Sequence, residues 1–386
     1  MTHLFHTYSR FPIELVDGHD FHLTDKQGKE YVDLASGIGV MSFGYHNPAI
    51  VDAVDKQLHK MWHVSNLYES SLQEEVAGKL TQLAGSDYLA FFANSGTEAN
   101  EAALKLAHKF TGRKKVMTFT DSFHGRTYGS LAVTDYPGIK SGFFVDQTSV
   151  VVAPYNDPFA LHLLDDSFAA VIVEMIQGEG GVNMIDPDWL KQLAAQAKAC
   201  GALLIVDEVQ TGIGRTGSAF AFQHYGLEPD IITSAKALGA GIPIGAMMGK
   251  KVLGSAFTPG SHGTTFGGNL LAMASANAVL SQLTDSFLKD VSQKGSFVFS
   301  LLKEKLQDLP QVQDIRGQGL MIGIQLADSL LVTSVISDLQ AAGYLTLSSK
   351  HNTLRLLPPL IIDEAHLAAA VDTIASVIKK QSEVTA

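Results

Sequence analysis

Ser234-Ala-Lys236-Ala-Leu-Gly-Ala-Gly-Ile-Pro-Ile-Gly-Ala-Met-Met248 sets one lysine between the apolar run Ile231-Ile232-Thr233 and a stretch of small, Gly-rich residues. An ammonium among apolar and small neighbours loses hydration, its pKa falls, and the free amine that results can form a Schiff base with a carbonyl cofactor. The alternative is a strand-end lysine whose stem lies on apolar surface while its head reaches water. The choice rests on whether the rest of the chain supplies the other groups that such a cofactor needs.

Working outward, residues 88–93, 115–119, 150–153, 170–174, 203–207 and 230–233 are short apolar runs bounded by Gly, Pro or polar residues. Runs without clean alternation suit strands covered on both faces. Helical patterns lie between several of them. In one, Ala99, Ala103, Leu106 and Phe110 share a stripe and Gly112 follows the end. In another, Asp186 caps, Pro187 starts, Leu190, Leu193, Ala194 and Ala197 make the stripe, and Gly201 stops it. This alternation predicts an α/β fold with a mainly parallel sheet. Nearer the start, His22 to Leu34 reads as two short strands about a turn at Gln27-Gly28, and Pro48 opens a helix running towards Met61. Beyond Asn269 long helical patterns surround the strand-like 319–326, and Asp363 caps a last helix with Leu367, Val371, Ile374 and Ile378 on one side. The expected division is an N-terminal segment (1–50) packing with the small domain, a large cofactor-binding domain (51–270) and a smaller α+β domain (271–386).

Composition narrows the partners. Of 386 residues, 46% are hydrophobic and 17% charged, which argues against disorder, and the 35 glycines show no collagen-like period. A net charge of −11 argues against nucleic acid or an anionic membrane surface, both of which need a basic footprint. The single cysteine, Cys200, suits a reducing compartment. The opening ten residues lack the long apolar core of a secretory signal and no run reaches membrane-spanning length, so a cytoplasmic protein is expected.

Ligands of an open parallel sheet gather beyond the carboxyl ends of its strands, and the remaining candidates fall there. Ser95-Gly96-Thr97 follows a strand and starts a helix, where converging amides make either a phosphate seat or an ordinary capping loop. Asp207 ends an aliphatic strand, where a carboxylate needs a positive or protonated partner. Facing the ring nitrogen of pyridoxal phosphate, it would keep that nitrogen protonated so that the ring accepts electrons; otherwise it caps the next segment. Phe123-His-Gly-Arg126 offers an aromatic to cover a flat ring and a guanidinium to grip a carboxylate, or else a core Phe beside a surface Arg. Gln177-Gly-Glu179-Gly-Gly181 puts an acid in a flexible loop or a plain turn. His262-Gly-Thr264-Thr265 supplies hydroxyls, and Arg355, in the strand-like 353–357, needs an anionic partner if it faces inward. Gly212-Ile-Gly214-Arg-Thr-Gly217 fits the glycine pattern of dinucleotide folds but is separated from its strand by Asp207-Glu-Val-Gln-Thr, and is discounted. His59 and His63 sit four apart with no Glu after His59, so no metal site is expected.

In order along the chain, Ser95-Gly-Thr-Glu-Ala-Asn-Glu101, Phe123-His-Gly-Arg126, Gln177-Gly-Glu-Gly-Gly181, Asp207-Glu-Val-Gln210, Ala235-Lys236-Ala-Leu-Gly239 and Gly263-Thr-Thr-Phe-Gly-Gly-Asn269 resemble the class III, or omega, aminotransferases of fold type I. The resemblance covers nearly the whole chain. Within that family the compact length, Ser36-Gly-Ile-Gly-Val40, Asn66-Leu-Tyr68 and the Phe-His-Gly-Arg motif look most like the branch acting on N2-acetylornithine in arginine biosynthesis. The resemblance implies ping-pong transfer of an ω-amine to 2-oxoglutarate, with ornithine, succinylornithine or 4-aminobutyrate as other donors. An aminomutase or racemase is the rival reaction class. It implies a homodimer with shared sites and pyridoxal 5'-phosphate as cofactor. Lys236 would hold the cofactor and shuttle a proton, and Asp207 would pair with the pyridine nitrogen. Phe123 and Val209 would sandwich the ring, with Gln210 near its phenolic oxygen. Ser95, Gly96 and Thr97 would hold the phosphate, with Thr265 reaching it from the other subunit. Arg126 would bind a substrate carboxylate, Thr264 would contact acetylornithine, and Arg355 would take the α-carboxylate of glutamate. Glu179 would pair with Arg355 when the ω-amine is bound. Met175 and Leu270 stand where relatives often have proline, and Phe43-Gly-Tyr-His departs from the usual Leu-Gly-His.

Overall fold

The computed structural model describes residues 3–85 and 87–385. Its central sheet has seven strands: β1 (Tyr88–Ala93), β2 (Lys115–Phe119), β3 (Val150–Ala153), β4 (Phe168–Val173), β5 (Leu203–Asp207), β6 (Ile231–Ser234) and β7 (Gly245–Lys250). Their spatial order is β1-β7-β6-β5-β4-β2-β3. Strands β2 to β6 pair in parallel, while β7 runs antiparallel to both β6 and β1. All six residues of β4 are buried, as expected of a strand with helices on both faces. The expected α/β layout with a mainly parallel sheet is therefore present, and six of its strands lie where the apolar runs put them.

Strand β7 is the exception, because Gly245-Ala-Met-Met-Gly-Lys250 reads as the tail of the Gly-rich stretch. It fits since the backbones come close: a Cβ at Gly245 would lie 2.1 Å from the Ser95 carbonyl oxygen. The helices begin and end where their caps predict. Helix α1 (Gly96–Thr111) starts at Ser95, whose hydroxyl accepts from Glu98 N at 3.3 Å, and stops at Gly112 with φ 68°. Helix α2 (Pro187–Cys200) starts at Asp186, which accepts from Trp189 N at 2.7 Å, and stops at Gly201 with φ 72°. The helix from Pro48 ends at Leu58, short of Met61.

A second core belongs to the C-terminal part. Strands β8 (Val312–Gln318), β9 (Met321–Leu326), β10 (Leu347–Ser349) and β11 (Thr353–Leu356) form an antiparallel sheet in the order β8-β9-β11-β10. Val298, Ile322, Ile336, Leu354 and Ile374 are buried together there, and Phe21 and Leu34 of the N-terminal segment join them. The helix Leu270–Gln282 differs from the sequence expectation, which grouped it with the small domain. Its Ala272, Met273, Ala276 and Val279 are buried in the large core, so we place the division near Thr284, where the next helix is capped.

Arg215, in the glycine pattern discounted above, is 1% exposed and joins the two cores. Its Nη1 donates to the carbonyls of Leu320 (3.1 Å) and Pro358 (2.6 Å), and its Nη2 to Ser42 Oγ (2.7 Å). Among the described residues no helix is long and apolar enough to cross a membrane.

Candidate active site

The carboxyl ends of β1, β2, β4, β5 and β6 and the start of β7 meet at one edge of the sheet, around a cavity of about 470 Å³. Ser95, Gly96, Thr97, Phe123, Arg126, Glu179, Asp207, Val209, Gln210 and Lys236 all line it. The antiparallel sense of β7 is what brings its leading residues, Gly241 to Ile244, to the same rim.

Lys236 opens a short 3-10 turn directly beyond β6 and has φ 47°. A non-glycine residue in that region stores strain of roughly 1–3 kcal/mol, which persists where surrounding structure enforces it. Burial pushes the Lys236 ammonium down. Glu179 pulls it back, Arg355 adds to the depression, and Asp207 and Glu174 oppose it, with the net direction downward. A lysine that gives up its proton more readily than usual is the kind of nucleophile that the sequence calls for.

Asp207, the last residue of β5, is 4% exposed. Its Oδ2 accepts from Asn100 Nδ2 and from His124 Nδ1, both at 2.8 Å, and its Oδ1 accepts from Val209 N at 2.9 Å. Burial alone would raise its pKa, but the His124 hydrogen bond and charge, Val209 N and Asn100 outweigh it, and the carboxyl lies below its ordinary value. Thr233 Oγ1 donates to Asn100 Oδ1 at 2.7 Å, which turns the Asn100 amide towards Asp207. Beside it, Glu174 follows β4 and accepts from Phe123 N at 3.1 Å. Burial pushes Glu174 up to about 7, with His124 opposing and Asp207 adding to the rise. Two neighbouring acids are thus driven apart, one held ionised and one left near neutrality.

The start of α1 and the Phe123–Arg126 segment are locked together. A Cβ at Gly125, whose φ is 137°, would lie 2.2 Å from Thr97 Oγ1. Thr97 donates to Thr127 Oγ1 at 2.8 Å, and Thr127 to Glu101 Oε1 at 2.6 Å. Arg126 is exposed, with its guanidinium carbon 6.0 Å from the centre of the Phe123 ring. A Cβ at Gly96 would meet Val209 Cγ1 at 2.7 Å, so only glycine leaves the helix start open beside Val209.

Arg355 comes from β11 and is 2% exposed. Its Nη1 donates to Glu179 Oε1 at 2.6 Å and to Gln210 Oε1 at 3.0 Å, and its Nε is buried without a partner among the described residues. Burial works against the charge on Glu179, but Arg355 and Lys236 outweigh it, and Glu179 lies below the usual glutamate value.

Thr264 and Thr265 stand apart from this cavity. They line a neighbouring one of about 620 Å³ with Asn66, Leu67 and His262. Thr264 Oγ1 accepts from Asn94 Nδ2 at 3.2 Å, and Thr265 is exposed. Sequence reasoning did not single out Glu174, His124 or Asn100 as site residues. Asn100 follows Gly96 by four on α1 and so shares its face, a signal the sequence carries. Glu174 and His124 meet Asp207 only through the strand order.

A strained lysine beyond a parallel strand, a buried ionised aspartate and a helix start, gathered at one sheet edge, suit a carbonyl cofactor that carries a phosphate, on an α/β frame. The sequence model of the class-III aminotransferases matches residues 6–378, and the chain belongs to that family. It is 51% identical to the acetylornithine aminotransferase of Lactiplantibacillus plantarum, over 98% of this chain and 97% of the relative. It is 48% identical to that of Bacillus subtilis over the full length of both. Among solved structures, it resembles the ornithine aminotransferase from Toxoplasma gondii (TM-score 0.94, 30% identity, 99% of this chain and 93% of that one). It also resembles the N-acetylornithine aminotransferase from Stenotrophomonas maltophilia (TM-score 0.85, 30% identity, 98% of each). Aminotransferases of this class use pyridoxal 5'-phosphate, and the residues present fit it: a buried Lys236 whose ammonium is weakened, an ionised Asp207 and the opening beside Gly96.

Proposed function

We propose that the enzyme transfers the δ-amino group of N2-acetyl-L-ornithine to 2-oxoglutarate, giving N-acetyl-L-glutamate 5-semialdehyde and L-glutamate, as a cytoplasmic step of arginine biosynthesis. The observation that carries this reading is Arg355, buried behind Glu179 and Gln210 of the cavity lining and paired with Glu179 at 2.6 Å. Glutamate has a carboxylate on the reacting carbon, whereas an ω-amine has none. A bare Arg355 would therefore favour glutamate in both half-reactions, and a side chain that can pair with it or swing aside lets one cavity serve both substrates. The choice of acetylornithine among ω-amines is supported by relatives about half identical over the whole chain.

When bound, pyridoxal phosphate supplies a carbonyl for the substrate nitrogen and an electron-poor ring that takes up the pair left when the neighbouring C–H bond breaks. Lys236 would hold it, and its Nζ would serve as the base and acid that carries the proton. Asp207, kept ionised by His124 and Asn100, would hold the proton on the ring nitrogen. Phe123 and Val209 would flank the ring, with Gln210 at its phenolic oxygen. Ser95, Gly96 and Thr97 would hold the phosphate at the start of α1. Arg126, exposed at the rim, would take the far carboxylate of the substrate, and Arg355 the α-carboxylate of glutamate.

Thr264 and Thr265 act in this reading from the second subunit of a homodimer, with Thr264 at the acetylornithine and Thr265 at the phosphate. Leu67 (90% exposed) and Phe266 (61%) beside them support a surface covered by another copy. The test is a panel of amine donors with 2-oxoglutarate. Acetylornithine is expected to give the highest kcat/KM. Preference for ornithine or 4-aminobutyrate would overturn the substrate, and turnover without 2-oxoglutarate would overturn the reaction class.

A further inference from the structure

The hairpin that carries Arg355 also grips the main chain of the loop that carries Glu179. In the pairing of β10 with β11, Leu347 stands opposite Arg355 and Ser349 opposite Thr353, so Ser349 and Arg355 project from one face. From that face Arg355 reaches the Glu179 carboxylate, while Ser349 Oγ lies 2.8 Å from both the Gly178 and the Glu179 carbonyl oxygens and donates between them. Lys350 N donates to the same Glu179 carbonyl at 3.1 Å. Two residues further on, Arg316 of β8 donates from Nε (3.0 Å) and Nη2 (2.6 Å) to the Gly181 carbonyl.

The other side of the loop is equally close. A Cβ at Gly178 would lie 2.2 Å from Gln210 Oε1, and one at Gly180 2.6 Å from the Asp121 carbonyl oxygen. Asp121 in turn holds the hairpin end, through Lys350 Nζ at 3.0 Å and His351 Nε2 at 2.7 Å. Glycines 178, 180 and 181 leave this backbone unusual latitude, so its position depends on what is bonded to it.

We propose that Ser349 is a positioning residue for substrate discrimination. By holding the Gly178-Glu179 main chain against the hairpin, its hydroxyl keeps the Glu179 carboxylate seated on Arg355. The pair then opens by side-chain rotation, and only for a carboxylate able to take the place of Glu179. Without the hydroxyl the Glu179 carbonyl keeps Lys350 N alone, the loop gains freedom, and the shield over Arg355 weakens. The inference rests on reading Arg355 as the seat of the α-carboxylate.

The holoenzyme is compared with Ser349→Ala, Ser349→Thr and Glu179→Ala in two measurements. One is calorimetric titration with glutarate, a dicarboxylate without an amine; the other is the single-turnover rate of each half-reaction. Ser349→Ala is expected to bind glutarate about fivefold tighter and to raise the glutamate-to-acetylornithine rate ratio by a similar factor, the worth of one ordinary hydrogen bond. Ser349→Thr, which keeps the hydroxyl, is expected to return both to the parent values, and Glu179→Ala to move both further in the same direction. A Ser349→Ala enzyme that matches the parent while Glu179→Ala shifts would overturn the role of Ser349 and leave that of Arg355 standing. An inert Glu179→Ala would remove the reading of Arg355 itself. Equal slowing of both half-reactions by Ser349→Ala, with glutarate affinity unchanged, would mark a merely structural residue and also overturn the proposal.

Discussion

Replacing Glu179 with alanine takes away the carboxylate that closes Arg355. Opposite charges about 4 Å apart attract by about 4 kcal/mol at the effective dielectric of 20 that suits such pairs. That figure is an upper bound here, because the Glu179 side chain is 29% exposed and Gln210 Oε1 still accepts from Arg355 in the variant. Roughly 2 kcal/mol is a reasonable share for the competition that an incoming α-carboxylate faces, in line with a hydrogen bond to a charged group. That corresponds to a shift of about 30-fold in relative rate. The glutamate half-reaction is expected to gain on the acetylornithine half-reaction by that factor, chiefly through tighter capture of glutamate. Rapid mixing of the pyridoxal form with each amine in turn, followed by the cofactor spectrum, gives both rates on one preparation. A ratio within about twofold of the parent, where a difference in transition-state stabilisation would be negligible, would refute the reasoning.

Three further outcomes are expected. Borohydride should bleach the yellow holoenzyme by fixing the cofactor on Lys236, and Lys236→Ala should lose at least about a hundredfold in turnover, the lower range for a positioned proton carrier; full activity in that variant would rule the assignment out. Glu208 is fully buried, with Oε2 accepting from Thr211 Oγ1 at 2.5 Å and Oε1 from Phe222 N at 2.8 Å, and burial pushes it from 4.5 up to about 7. Folding therefore favours its protonated form, so the stability it contributes is present below pH 4.5 and lost as pH rises through about 7. By pH 8 that loss is about 3 kcal/mol, and Glu208→Gln should narrow the gap between denaturation midpoints at pH 5 and pH 8 accordingly; an unchanged gap would show that Glu208 ionises freely in the fold.

Local chemistry made much of this molecule legible from residues alone. Asp186-Pro187 and Gly201 bracket a helix because capping and left-handed stop signals act within a few residues, and the aliphatic run ending at Asp207 reads as a covered strand for the same reason. The ordered motifs placed Lys236, Asp207, Phe123 and Glu179 on one cavity. What was hidden depends on distant partners. Gly245–Lys250 lacks the β-branched residues of a strand, and pairs because glycine admits the Ser95 backbone. The helix Leu270–Gln282 is apolar nearly all round, so its pattern gives no face by which to choose between two cores. Glu174 and His124 are set against Asp207 by the adjacency of β4 and β5 and by the loop after β2, an order fixed only when the sheet closes.

Arg215 has a consequence for how substrates enter. A dehydrated guanidinium fastened to carbonyls near residues 320 and 358 and to the hydroxyl of Ser42 works like a rivet through three plates. Any wide swing of one lobe away from the other would strip those oxygens from it at once. Admission and exit at the catalytic cleft therefore fall to side chains, Glu179 turning off Arg355 and Arg126 shifting at the rim, against a frame that stays put.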